Sequence, residues 1–367
     1  MQHSIDQEAD GQVDQVDQTD QAADFGVPDG ATHWGDTPIA AAAQRAARFN
    51  LGLKKLPKPD AARVVTVANQ KGGVGKTTTS VNMAAALSRQ GLKVLVVDLD
   101  PQGNASTALG AEHRAGTTSS YELLIGEADA EEAMQASPGN DNLFCIPATI
   151  DLAGAEIELV SLVRREYRLH DALRRGFLER EGFDYVFIDC PPSLGLLTIN
   201  AMTAVDEVLI PIQCEYYALE GVGQLLGNIG MIREHLNNNL HISAILLTMY
   251  DARTKLSEEV ATEVRDQFGQ VVLRNVIPRS VKVSEAPGYG QTVVDYDPGS
   301  RGALAYVDAA RELAERGDYQ PHPTTGPIGV SPEVARQLDG ADGAEGADPS
   351  QIDEAPDVQQ NIQQDGE

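Results

Sequence analysis

Short apolar runs rich in β-branched residues alternate with stretches of helical spacing between residues 61 and 318. The candidate strands are Val64–Ala68, Lys93–Asp98, Leu143–Ile146, Tyr185–Asp189, Glu207–Ile212, Ile242–Met249 and Val271–Val276. Apolar positions recurring every three to four residues mark helices over Thr79–Gln90, Leu169–Leu178, Gly221–His235 and Ser257–Phe268. Runs such as Val94–Val97 and Val186–Ile188 are apolar without alternation, as strands covered on both faces require. This order predicts a single doubly wound α/β domain. Its sheet is mostly parallel, its crossovers are right-handed, and its ligand sits at the carboxyl ends of the strands.

Outside that core the periodicity stops. Residues 1–36 hold nine acidic side chains and no Lys or Arg, and residues 321–367 hold ten acidic and one basic, Arg336; together they carry −18 of the net −27. Both ends are rich in Gln, Gly, Ala and Pro and poor in aromatics, so they offer too little apolar surface to offset the entropy of ordering. We read residues 1–36 and 319–367 as disordered acidic tails, solvating or partner-binding in role. Residues 37–60 read as a short Ala-rich helix with Arg45 and Arg48, then a basic linker with Lys54, Lys55, Lys58 and two prolines. Cys145, Cys190 and Cys214 are too scattered for a disulfide framework or a metal-binding pair and read as buried thiols. A signal segment, an 18-residue apolar run and a basic amphipathic terminus are all missing from the sequence, which predicts a cytoplasmic protein that does not dock on membranes.

The chemistry concentrates at three strand ends. After the first strand comes Lys71-Gly72-Gly73-Val74-Gly75-Lys76-Thr77-Thr78, leading directly into a helical pattern. In this setting glycines let backbone N–H groups curl around a β-phosphate, the helix N-terminus adds partial positive charge, Lys76 reaches the β- and γ-phosphates, and Thr77 holds Mg²⁺. A nucleoside triphosphate is the expected ligand. The usual loop would carry Gly where this chain has Gln70, and a second lysine, Lys71, stands five residues before Lys76. Two further strands end in acids, at Asp98-Leu99-Asp100 and at Asp189-Cys190-Pro191-Pro192. A carboxylate there, facing a phosphate loop, can bind Mg²⁺ directly or through water; alone it could equally cap a turn.

The tandem-lysine loop resembles the deviant Walker A motif of ParA/MinD-type ATPases. With the two acidic segments, with Leu247 to Thr254 and with Ile277 to Pro287, the likeness is to the chromosomal Soj-like branch of the ParA family across residues 60–318. It implies an ATPase using ATP and Mg²⁺, with nucleotide contacts from Lys71, Gly72, Gly73, Val74, Gly75, Lys76, Thr77, Thr78 and Pro278. Catalytic roles fall to Lys76 in cis, Lys71 across a nucleotide-sandwich homodimer, and Asp100, which positions the attacking water. Thr77 and Asp189 would serve the metal, with Asp98 in its outer shell. Arg253, Arg279 and Lys282, with Lys255 nearby, would hold nonspecific double-stranded DNA on the nucleoid, and a ParB-type partner would stimulate slow hydrolysis. Lys282 stands where the family commonly has Arg, so the charge is kept and the bidentate fork is lost. Other readings are a MinD-like positioning ATPase, which needs a basic amphipathic terminus, an electron-transfer ATPase, which needs paired cysteines, and a kinase, for which no acceptor signature is present.

Overall fold

Among the described residues seven strands form one sheet: β1 (Arg63–Val67), β2 (Val94–Asp98), β3 (Gln135–Ala136), β4 (Leu143–Ile146), β5 (Tyr185–Asp189), β6 (Glu207–Gln213) and β7 (His241–Thr248). Their spatial order is β3-β4-β2-β5-β1-β6-β7. Only β3 runs antiparallel, against β4. The computed structural model describes residues 55–317, apart from 175 and 220. The expected tails over 1–36 and 319–367, and the short helix over Pro38–Asn50, lie outside the described residues.

Side chains along the central strands alternate between two cores, although the strand sequences do not alternate in polarity. Val64, Leu95, Val97, Val186 and Ile188 pack on one face with Leu197, Leu225 and Val260. Val65, Val67, Val94, Val96 and Phe187 pack on the other, with Val81, Ala84 and Leu87 of the helix Lys76–Arg89 and Tyr306 and Val307 of the helix Arg301–Glu315. The doubly wound expectation holds. Because β5 fills the slot between β1 and β2, Asp189 lies in register with both Val67 and Asp98. That register brings the three candidate segments to one end of the sheet.

At the opposite end a buried ion pair ties the strand starts together. The Arg63 guanidinium donates to both Glu207 oxygens at 2.7 Å, to Tyr185 Oη at 3.0 Å and to Leu313 O at 3.0 Å. Burial works against the Arg63 charge, and the Glu207 carboxylate more than offsets it, so the guanidinium pKa stands above its ordinary value.

Several boundaries differ from the sequence pattern. The helix Lys76–Arg89 begins three residues before Thr79, because its first turn is polar and carries no hydrophobic signal. Leu169–Leu178 divides into Arg168–Arg174 and Phe177–Glu181, since Gly176 turns the chain at φ 83°. Val271–Val276 is not a strand. Within it only Val272 makes an isolated parallel bridge to β7, at Ile245; past its end, Pro278 bridges Tyr250, beyond β7. The cause is Glu312, whose carboxylate takes the amides of Arg274 at 2.9 Å and Asn275 at 3.1 Å and bends the chain away from the ladder. The helix Leu196–Ala204 escaped the pattern because it is buried nearly all round. Among the described residues no helix is long and apolar enough to cross a membrane.

Candidate nucleotide site

The chain leaves β1 and turns through residues 68–75 into the helix Lys76–Arg89. Gly73 and Gly75 take φ of 76° and 92°, a left-handed conformation that a side chain would strain. Gly75 is the helix N-cap; it offers no side-chain acceptor, and no acidic residue stands in the first turn. The first amides of the helix are therefore left for an anion. Two residues that the sequence pattern did not single out brace the loop. Asn69 accepts from the Lys71 amide at 3.0 Å and donates to Pro211 O on β6 at 2.8 Å. Thr248, the last residue of β7, donates to Val74 O at 2.8 Å. Met249 follows it at φ 53°, a turn that carries the chain over to Pro278.

The two lysines point to different partners. Lys76 is buried, and its ammonium donates to Lys71 O at 3.2 Å. Burial pulls its pKa below the usual lysine value, opposed by the nearby Asp189, Cys190 and Asp100. The Lys71 ammonium reaches outward to Tyr217 O at 3.4 Å.

The carboxylates also divide. Asp98 and Asp189 are both fully buried, and burial raises both pKa values; the Asp98 charge adds to the rise at Asp189, and the Asp100 charge adds to the rise at Asp98. Asp98 is fully engaged: Oδ2 accepts from the Ser106 amide at 2.8 Å and from Ser106 Oγ at 2.7 Å, and Oδ1 from the Asp100 amide at 3.1 Å. It organises the loop that carries Asp100. Asp100 itself is half-exposed and caps the following turn through the Gln102 amide at 3.0 Å. Asp189 Oδ1 accepts from Ser80 Oγ at 2.9 Å, while its buried Oδ2 has no hydrogen-bond partner. A buried carboxylate oxygen with no hydrogen-bond partner, on a side chain that lies near Thr77, suits a divalent cation. Neighbouring Cys190 is an inert thiol, its Sγ 3.1 Å from Thr66 Oγ1 and its pKa pushed up to about 12 by burial.

The three basic residues expected on DNA are exposed, and each already faces a carboxylate. Arg253 forks onto both oxygens of Asp251 at 2.9 and 2.7 Å, holding that carboxyl well below its ordinary range. Arg279 lies close enough to lower Asp251 further and pairs with Glu215 at 2.7 Å. Lys282 pairs with Glu285 at 2.9 Å and sits over the Tyr296 ring at 5.4 Å. Arg253 and Arg279 thus share one surface; Lys282 belongs to the adjoining short helix Val281–Glu285. A cleft of about 540 Å³ next to the phosphate loop is lined by Lys71, Tyr217, Met249, Asp251 and Arg279 among others. A larger cleft, about 890 Å³, lies at the amino ends of the strands around Arg63 and Glu207 and carries no phosphate-binding element.

Residues 62–242 match a family model described as an AAA domain. Over 255 residues the chain is 52% identical to the sporulation initiation inhibitor protein Soj of Bacillus subtilis, covering 70% of this chain and 99% of that protein. It is 51% identical over 256 residues to the chromosome partitioning protein ParA of Caulobacter vibrioides, covering 69% and 94%. Among solved structures, cobyrinic acid a,c-diamide synthase from Mycobacterium smegmatis with bound ATP analog and magnesium superposes with a TM-score of 0.60 at 40% identity, covering 70% and 96%. The cell division ATPase MinD of Pyrococcus furiosus gives 0.57 at 29% identity, covering 69% and 99%.

Proposed function

Because the chain belongs to the Soj/ParA family of chromosome-partitioning proteins, we propose that it is an ATP-driven switch on nonspecific DNA. ATP closes a homodimer across two phosphate loops, paired basic surfaces then hold duplex DNA on the nucleoid, and slow hydrolysis stimulated by a ParB-type partner releases it. The observation that carries this reading is the divergence of the two lysines. Lys76 turns into its own loop, whereas Lys71 projects from the same loop toward the outside, as a residue serving a partner's phosphates must.

Within the site, Lys71 to Thr78 cradle the phosphates and Pro278, bridged to Tyr250, borders the base side. Thr77 and Asp189 would hold Mg²⁺, with Asp98 acting behind them through the Asp100 loop. Once bound, that ion neutralises charge on the β- and γ-phosphate oxygens. Asp100 is the residue that orients the attacking water. DNA contacts come from Arg253, Arg279 and Lys282; they bind phosphate without base information, so affinity falls steeply between about 50 and 200 mM salt.

The test is retention of a nonspecific duplex in a mobility shift with ATP, ADP or no nucleotide. ATP-selective retention that is lost in Arg253→Glu and Lys282→Glu, with ATP binding and dimerisation intact, is the expected result. Equal retention in all three nucleotide states would refute the switch.

A further inference from the structure

The loop that follows β6 touches both regions that such a switch has to connect. It is anchored at its start, where the Cys214 amide donates to Thr248 O at 3.1 Å and Cys214 O accepts from Ser257 Oγ at 3.3 Å. Beyond that anchor it turns tightly, with the Ala218 amide bonded to Glu215 O at 2.8 Å. Tyr216 and Tyr217 stand 76% and 60% exposed, in edge-to-face contact with each other. On this loop the Tyr217 carbonyl accepts the Lys71 ammonium, and the Glu215 carboxylate accepts the Arg279 guanidinium. A single turn of chain therefore holds a cation of the phosphate loop and a cation of the basic surface at once.

The three pairs on the basic surface differ in what holds them. Arg253 meets Asp251 two residues away, and Lys282 meets Glu285 three residues away on the same short helix, so both pairs form wherever their own segment goes. Arg279 meets Glu215 across 64 residues, and that contact lasts only while the Cys214–Leu219 loop keeps its place. The bond that places the loop against the phosphate site is a weak one, an exposed ammonium 3.4 Å from a neutral carbonyl. A nucleotide phosphate offers that ammonium a charged acceptor at shorter range.

We propose that the Cys214–Leu219 loop couples nucleotide to DNA: Glu215 masks Arg279 while Lys71 holds the Tyr217 carbonyl, and ATP, by drawing Lys71 onto phosphate, frees the loop and delivers Arg279 to the DNA backbone. This rests on the DNA-switch reading above. An exposed ion pair is a weak mask, which suits a device that a single rearranged hydrogen bond must tip.

The test compares Glu215→Gln with Glu285→Gln in the full chain, measuring affinity for a nonspecific duplex with and without ATP. Glu215→Gln is expected to raise nucleotide-free affinity by about threefold to tenfold, while changing the ATP-state affinity by less than about twofold. Glu285→Gln, which unmasks Lys282 through a purely local pair, is expected to raise both states by a similar factor. An equal rise in both states for Glu215→Gln would reduce Glu215 to a bulk electrostatic term and overturn the coupling. No rise in the nucleotide-free state would overturn the mask. If the wild-type protein itself retains DNA without regard to ATP, the switch reading fails first, and the inference falls with it.

Discussion

Replacing Ser106 by Ala strikes the contact that orders the acidic end of the site. Ser106 Oγ donates to the fully buried Asp98 at 2.7 Å and accepts from the buried Ala148 amide at 3.0 Å, linking the ends of β2 and β4. A hydrogen bond to a charged acceptor contributes about 1.5–3 kcal/mol, and an orphaned buried amide adds about 1 kcal/mol, so the expected loss is about 2.5–4 kcal/mol. For a domain of this size that corresponds to a fall in Tm of roughly 5–16 °C. The measurement is thermal unfolding by circular dichroism at pH 8 without nucleotide, above the Asp98 pKa, which burial raises to about 6. Asp98 also receives the Asp100 amide, so its loosening should misplace Asp100 and lower ATP turnover by about tenfold with ATP affinity unchanged. A double-mutant cycle with Asp98→Asn isolates the pair, and a coupling of at least about 1 kcal/mol is expected. A Tm shift below about 1 °C, or simple additivity in the cycle, would refute the assignment of Asp98 as a carboxylate organised by Ser106.

Asp100→Ala should leave ATP binding in place and lower turnover by at least about tenfold, equal to about 1.4 kcal/mol of barrier; wild-type hydrolysis in that variant would remove Asp100 from the mechanism. Lys76→Ala should weaken ATP binding in a titration, whereas Lys71→Ala should bind ATP yet sediment as a monomer in its presence. Normal dimerisation and hydrolysis by Lys71→Ala would sink the sandwich-dimer reading. Glu207→Gln takes the bidentate carboxylate away from the buried Arg63 guanidinium and should cost about 3–5 kcal/mol in denaturant unfolding. ATP affinity well below the melting transition should be unaffected, because the pair lies at the far end of the sheet from the phosphate loop.

The sequence by itself determined those features whose physics is local. The phosphate loop was legible because its glycine conformations, its lysines and the helix that follows are contiguous. Asp98 and Asp189 stood out because an apolar run ending in an acid is a strand delivering a carboxylate. The alternation of such runs with helical spacing was enough for a doubly wound sheet. Strand order was not legible, since β1, β2 and β5 are all buried on both faces and look alike as patterns. Only the folded sheet places β5 between the other two and sets Asp98 beside Asp189. The supports of the site were hidden for the same reason. Thr248 reaches Val74 across 174 residues, Asn69 reaches Pro211 across 142, and Glu215 meets Arg279 across 64. In the sequence each is one polar residue among many, and what it does depends on which strand ends the fold brings together. The Val271–Val276 segment makes the point in reverse: its β-branched residues favour a strand, and Glu312, from the distant helix Arg301–Glu315, takes the amides a ladder would need. Tertiary structure decided it because a backbone amide bonds whichever acceptor the packed chain presents.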